Sequence, residues 1–252
     1  MTSRPWIAPL ALAGLLAALA APPAAADRLL TLKSHTDAMQ MMGKTTPAKD
    51  DTYYYWFGAD ATRQDMGELS TLLRFDQQKM YWINHTEKTY STIDLPIDFK
   101  KLVSPEMAPM MEQMATMMGG SAKVTPTDRS GSFAGFECKY YKVAVNMAMM
   151  NIGMDMCMSE RMPVDFKRYQ SMVESQAELL PSTRWMKELA KMQGFPVHSE
   201  TTTTMMGKSF KSWQELVSSE EKAAPAGTYA PPAGYKEKPF DPMGQAQGSN
   251  RR

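Results

Sequence analysis

The chain is 252 residues long, with 28 Lys and Arg against 27 Asp and Glu and a formal net charge of +1. That balance gives no electrostatic case for a nucleic-acid partner or an anionic membrane surface. The length suits one large domain or two small ones, and the lack of a Gly/Ser- or Pro-rich linker in the middle favours one.

The first residues read as a secretory leader. Arg4 precedes the apolar run 10–20, and the small residues Ala21-Pro22-Pro23-Ala24-Ala25-Ala26 end at Asp27. A basic start, a short apolar centre and an A-x-A end predict cleavage after Ala26. The wider run 7–21 is short, and punctuated by Pro9, for a membrane span, which needs about 20 apolar residues. No Cys lies near the junction, so no lipid anchor is expected there. Residues 1–26 are read as a signal peptide, 27–240 as one domain with no transmembrane segment, and 241–252 as a disordered tail. The stretch 223–235, rich in Pro, Gly and Ala, also looks loose. Losing Arg4 with the leader leaves basic and acidic residues equal in number.

Residues 29–42 are expected to form a long first strand, with Leu30 and Leu32 alternating with polar neighbours. Tyr53-Tyr54-Tyr55-Trp56-Phe57 then concentrates strand-forming aromatics. Turn residues recur at Gly58-Ala59-Asp60, Asp65-Met66-Gly67, Asp76-Gln77-Gln78 and His85-Thr86-Glu87. Short apolar runs between turns spaced about 8 to 12 residues apart predict antiparallel sheet.

Ser104-Pro105-Glu106 has the form of a helix start: a capping hydroxyl, Pro at the first position and an acid at the positive end of the dipole. Met107, Met110, Met111, Met114, Met117 and Met118 follow at the spacing of one helix face. Gly119-Gly120 ends it. Pro109 is a departure, so the helix either kinks there or begins later.

Strand character returns at 123–127 and 136–147, with a hairpin back through 152–159. Cys138 and Cys157, an even count in a chain bound for an oxidising compartment, predict a disulfide. If they sit opposite each other, Tyr141, Val143, Val145 and Met147 share a face with Met154, Met156 and Met158, while Lys142 and Asp155 fall on the other. The disulfide register and the apolar register agree. Residues 163–192 form a second helical region: Phe166, Tyr169, Met172, Val173, Ala177 and Leu180 make one stripe, Pro181 breaks it, and Trp185, Leu189 and Met192 make another before Gly194. Two strands, 197–206 and 208–217, close the order around Gly207. The fold class is α+β, with helices covering one side of an antiparallel sheet.

Several of these segments resemble a known family. Thr31-Leu32-Lys33-Ser34-His35-Thr36, Asn84-His85-Thr86 with Thr89-Tyr90, Gly135-Phe136-Glu137-Cys138, Gly194-Phe195-Pro196 and Pro232-Ala233-Gly234-Tyr235 together resemble the bacterial exported proteins grouped as domain of unknown function 4412. The resemblance extends over residues 29–240. It implies a bacterial, periplasmic protein with a fold like the Lol lipoprotein carriers. That fold is a curved, unclosed half-barrel of antiparallel strands whose concave side is covered by helical segments and can accept acyl chains. The family has no agreed activity and no defined catalytic residues, so no site is carried over; fold analogy raises a functional hypothesis without establishing it.

Methionine is flexible and polarizable, so a surface dense in it adapts to ligands of irregular shape. The same stripe is also the ordinary way to bury a helix, and on a concave sheet it would do both. The expected ligand site has Met107, Met110, Met111, Met114, Met117 and Met118 as lid and Tyr141, Val143, Met154 and Met156 as floor. Its ligand would be a lipid or a lipoprotein acyl chain, held noncovalently and without a cofactor.

Two other classes stay open. Thioethers and thiolates suit Cu(I), and Met154-Asp155-Met156-Cys157-Met158 lies with Met147, Met149 and Met150 across the turn. Against this, Met154, Met156 and Met158 alternate as strand core does, and a disulfide withdraws Cys157. The other class is a structural or partner-binding module without a small ligand. His35, His85 and His198 are isolated in sequence and form no ligand spacing. No G-x-S-x-G, H-E-x-x-H or G-x-x-x-x-G-K-[ST] segment occurs, so no catalytic residue is assigned and no enzyme is expected. The sequence sets no expectation for oligomeric state.

Overall fold

The computed structural model describes residues 27–41, 44–118 and 120–241. Its first half is built from strands that alternate inward and outward side chains: β1 (Arg28–Thr36) turns Leu30, Leu32 and Ser34 inward. The strand stops at Thr36, short of the expected 42, and the chain makes a small separate hairpin of β2 (Met39–Met41) and β3 (Lys44–Thr46). A meander follows: β4 (Lys49–Phe57), β5 (Ala61–Met66), β6 (Leu69–Arg74), β7 (Lys79–Asn84) and β8 (Thr89–Asp94). Its turns fall where the sequence placed them, and Gly67 adopts φ +65°, a conformation that costs glycine little.

After a short helix α1 (Phe99–Leu102), helix α2 runs Met107–Met118. It begins later than Ser104, so Pro109 falls in the first turn, where no intrahelical N–H bond is lost. Then come β9 (Ser121–Phe133), β10 (Phe136–Asn146) and β11 (Met150–Ser159), helix α3 (Phe166–Glu178), a 3-10 turn (Pro181–Met186), helix α4 (Lys187–Ala190), and β12 (Phe195–Met205), β13 (Lys208–Glu221) and β14 (Lys236–Glu237). Asp165 caps α3 by accepting from the Lys167 and Arg168 N–H groups. Met172, Val173 and Ala177 form its buried stripe.

The strands make one open sheet in the order β14-β8-β7-β6-β5-β4-β1-β13-β12-β11-β10-β9. All neighbours are antiparallel except β14, which joins β8 in parallel. In β12, Phe195 meets Tyr55 and Phe57 of β4 edge-on, with centroids at 5.5 and 6.2 Å. Two strands, β1 and β13, lie between them. In a flat sheet, strands three steps apart would be about 14 Å from each other. The sheet therefore curves around these rings, and bulges at Thr31/Leu32, Lys139/Tyr141 and Cys157/Met158 supply bends. Gly194 makes the entry to β12 possible: at φ +96°, a Cβ there would lie 2.5 Å from the Ser159 carbonyl oxygen.

Cys138 and Cys157 are joined in a disulfide. The strand register places Tyr140, rather than Cys138, opposite Cys157, so the bond runs diagonally. A shift of two residues preserves the faces. Tyr141 pairs with Met156, Val143 with Met154 and Lys142 with Asp155, as the apolar pattern required.

The Pro- and Gly-rich stretch 223–235 is not loose. Tyr229 and Tyr235 pack on the small cluster Ala61, Leu72 and Ile83, and the carbonyls of Thr228 and Tyr229 accept from Arg63 and Arg74 at 3.0 and 2.8 Å. A polar chain locks this strap down. Arg63 donates to the Asp65 carboxylate at 2.7 Å, and Ser70 gives its only proton to the same oxygen. His85 Nε2–H must then donate to Ser70 Oγ at 2.6 Å, leaving Nδ1 to accept from Tyr235 at 3.0 Å.

Burial and the nearby Arg63 guanidinium hold the His85 ring below its usual pKa, with Asp65 opposing. The unfolded chain therefore takes up this proton first as pH falls. Stability from His85 is present above about pH 6.5 and is lost as pH drops through the lower folded value. His35, raised chiefly by its hydrogen bond to Asp50, has the opposite slope. Urea midpoints of wild type and His85→Gln, compared between about pH 7 and 5, are expected to show the steeper acid loss in wild type. Equal slopes would exclude His85 as the titrating latch.

Among the described residues no helix is long and apolar enough to cross a membrane. The leader 1–26 and the tail 242–252 lie outside the described residues.

Candidate functional site

Helix α3 divides the space on the inner face of the sheet. On one side opens a groove of about 860 Å³. Its floor is Leu73 and Phe75 at the end of β6 with Leu95, Pro96 and Ile97 after β8; its rim is Gln170, Glu174 and Glu178 of α3 with Lys187 and Lys191. Glu178 pairs with Lys187, and Glu188 with Lys191 at 2.6 Å. These rim pairs are exposed to water and contribute little to stability. The groove is thus apolar at its base and polar at its mouth.

On the other side of α3 lies an internal cavity of about 110 Å³. Met156 and Met158 of β11, Met172 of α3, Met186 of the 3-10 turn and Met192 line it, with Tyr55, Gln64, Tyr169 and Gln176 among the remaining walls. Gln176 donates to Gln64 at 3.0 Å, and Gln64 donates to the Tyr55 hydroxyl. Burial pushes the Tyr55 and Tyr169 phenols well above their usual range. Both stay neutral, so among these walls they offer hydrogen bonds rather than charge.

The four expected floor residues come together. Val143 and Met156 are buried, Tyr141 and Met154 half-buried, in one apolar cluster with Val145 and Met158. Trp185, Leu189 and Met192, from the 3-10 turn and the α4 region, pack against them. In the expected lid, Met111 is buried, Met107 half-buried and Met110 49% exposed. The side chains of Met114, Met117 and Met118 lie outside the described residues. Helix α2 is tied to the 3-10 turn by a bidentate pair, Arg184 to Glu112 at 2.9 and 3.0 Å, which holds the Glu112 carboxyl below its usual pKa.

Sequence reasoning missed the groove. Leu73 and Leu95-Pro96-Ile97 are visible as apolar residues beside turns, yet only the path of α3 shows that they form one floor beneath it.

The family model described as Domain of unknown function (DUF4412) matches residues 36–235. No curated protein matches the chain. Among solved structures it is similar to PNGF-II, at 10% identity and a TM-score of 0.39, over 90% of this chain and 33% of that one. The chain thus spans about a third of the length of that structure. It is also similar to a DUF1329 family protein from Desulfovibrio piger, at 7% identity and a TM-score of 0.27, over 82% of this chain and 90% of that one. Because the family model covers most of its length, this chain belongs to the DUF4412 family.

Proposed function

We propose that the chain is exported to the periplasm, loses residues 1–26, and binds a hydrophobic ligand, a lipid or the acyl part of a lipoprotein, without catalysing a reaction. The groove beside α3 carries this reading. Its volume and its apolar base with few polar groups at the mouth are those of a small-molecule site. An acyl chain laid along Phe75, Leu95 and Ile97 would gain about 25 cal/mol for each Å² of apolar area removed from water, less the cost of ordering it. The methionine-lined cavity behind α3 adds adaptable walls, because thioether side chains change rotamer readily. In this arrangement α3 is the inner wall of the groove and Trp185 and Leu189 cover the floor predicted from the sequence.

The test is native mass spectrometry of protein purified from the periplasm, followed by denaturing extraction of lipid. The expected result is a mature chain beginning at Asp27 with lipid bound in fixed ratio. Ser175 of α3 also lines the groove, and Ser175→Trp, which fills it, is expected to remove that lipid while the far-ultraviolet circular dichroism stays as in wild type. Lipid-free wild-type protein, or a folded Ser175→Trp variant with undiminished lipid, would reject the groove as the site.

A further inference from the structure

Methionines gather at one end of the sheet. Met147 and Met150 close the β10–β11 hairpin, with Met147 N–H donating to the Met150 carbonyl at 2.9 Å and the reverse bond at 3.4 Å. Met150 stands directly opposite Met205 of β12. Residues opposite one another on antiparallel strands point to the same face, with Cβ atoms about 4.5–5.5 Å apart. Met147, Met150 and Met205 therefore form a lateral row across three strands, on the face that also carries Val143 and Val145. All three are half-buried. The hairpin tips beside them carry Met149 and Met206, each 65% exposed.

We infer that this row is a binding site for a soft monovalent cation, Cu(I), held by thioether sulfurs. The outer two methionines are two strand spacings apart, about 10 Å at the backbone, a span that two flexible methionine stems and a central ion can bridge. Thioethers are neutral, soft donors that select Cu(I) over cations preferring oxygen. The neighbour beyond Met205 is Lys208, so charge does not draw the ion to this place; donor softness does. Nor does a zinc-type site compete: among the described residues no group of three or more His, Cys, Asp or Glu could hold a metal, and both cysteines are in the disulfide.

The bare glycine backbone at position 120 leaves space for the Met147 side chain, because an added Cβ there would come within 3.0 Å of the Met147 Cγ. The core methionines Met156, Met158 and Met192 differ from the row in being sealed from solvent, at 8, 4 and 4% exposure. An ion would reach the row at the open end of the sheet and would not need to cross the apolar cluster. The site is separate from the groove beside α3 and stands or falls without it.

The experiment is an anaerobic titration of the mature protein with Cu(I) against a chromogenic Cu(I) chelator, with ascorbate as reductant. Wild type is expected to take one Cu(I) per chain. The triple variant Met147→Leu, Met150→Leu, Met205→Leu, which keeps side-chain volume, is expected to bind it about tenfold more weakly or not at all. Met156→Leu with Met192→Leu, the buried control, and Ser175→Trp are expected to bind as wild type does. Failure of wild type to compete with the chelator would overturn the assignment. So would a triple variant with wild-type affinity, or an equal loss in the buried control.

Discussion

Phe195→Ala is expected to lower the unfolding free energy by about 3–5 kcal/mol, the range for truncating a fully buried phenylalanine. The residue is 1% exposed and touches both halves of the sheet and the helix above it. Its ring meets Tyr55 and Phe57 of β4 edge-on and lies 4.9 Å from the Tyr169 ring of α3. Truncation removes the transfer free energy of the ring and leaves a hole that three aromatic neighbours are too stiff to fill. The hole would open beside the existing cavity, where Tyr55 and Tyr169 are shared walls. Urea unfolding by tryptophan fluorescence measures the loss, with Phe195→Leu as a milder comparison. A loss below about 1 kcal/mol would show that the curved sheet is held by other contacts.

The second large effect concerns the disulfide. Cys138 and Cys157 are 19 residues apart, and cross-linking a loop of that size removes enough freedom from the unfolded chain to contribute about 3 kcal/mol. Cys138→Ala with Cys157→Ala is expected to lose about that much in equilibrium unfolding. Reduced wild type should behave alike. The register of β10 on β11 is set independently by the apolar pairs Tyr141–Met156 and Val143–Met154, so the variant is expected to keep native circular dichroism. A variant as stable as oxidised wild type would mean that the hairpin persists in the unfolded ensemble and leaves the bond little freedom to remove.

What could be read from the sequence follows from the range of the forces involved. Turns such as Asp76-Gln77-Gln78 and alternations such as Leu30-Thr31-Leu32 are local, and the structure places them as expected. The disulfide and the faces of β10 and β11 were legible because a period of two survives a two-residue slip. Three features were not. The strap 223–235 has the composition of a loose end, but composition speaks of the backbone, whereas Arg63, Arg74 and His85 fasten it through contacts 150 or more residues apart in sequence. The contact of Trp185 and Leu189 with Val143 and Met156 depends on where α3 lands on the sheet. Met205 joined the methionines of the β10–β11 hairpin only once β12 had been placed beside β11.

The centre of the sheet has a consequence for how the chain acquires its structure. β4 to β8 form one run of neighbouring hairpins, and β9 to β11 another, each able to assemble from nearby segments. Along the hydrogen-bonded order of the sheet the two runs are joined through β1, β13 and β12, and Arg28 of β1 stands opposite Glu221 of β13, 193 residues along the chain. Joining strands so distant in sequence is intrinsically slow, because the loop must be closed before its contacts stabilise anything. The pairing that unites the molecule therefore has to wait until β13 has emerged, and a chain stopped before residue 208 would carry β1 with one edge unpaired. Of the 12 strands in the sheet, the first to be made is among the last to be enclosed.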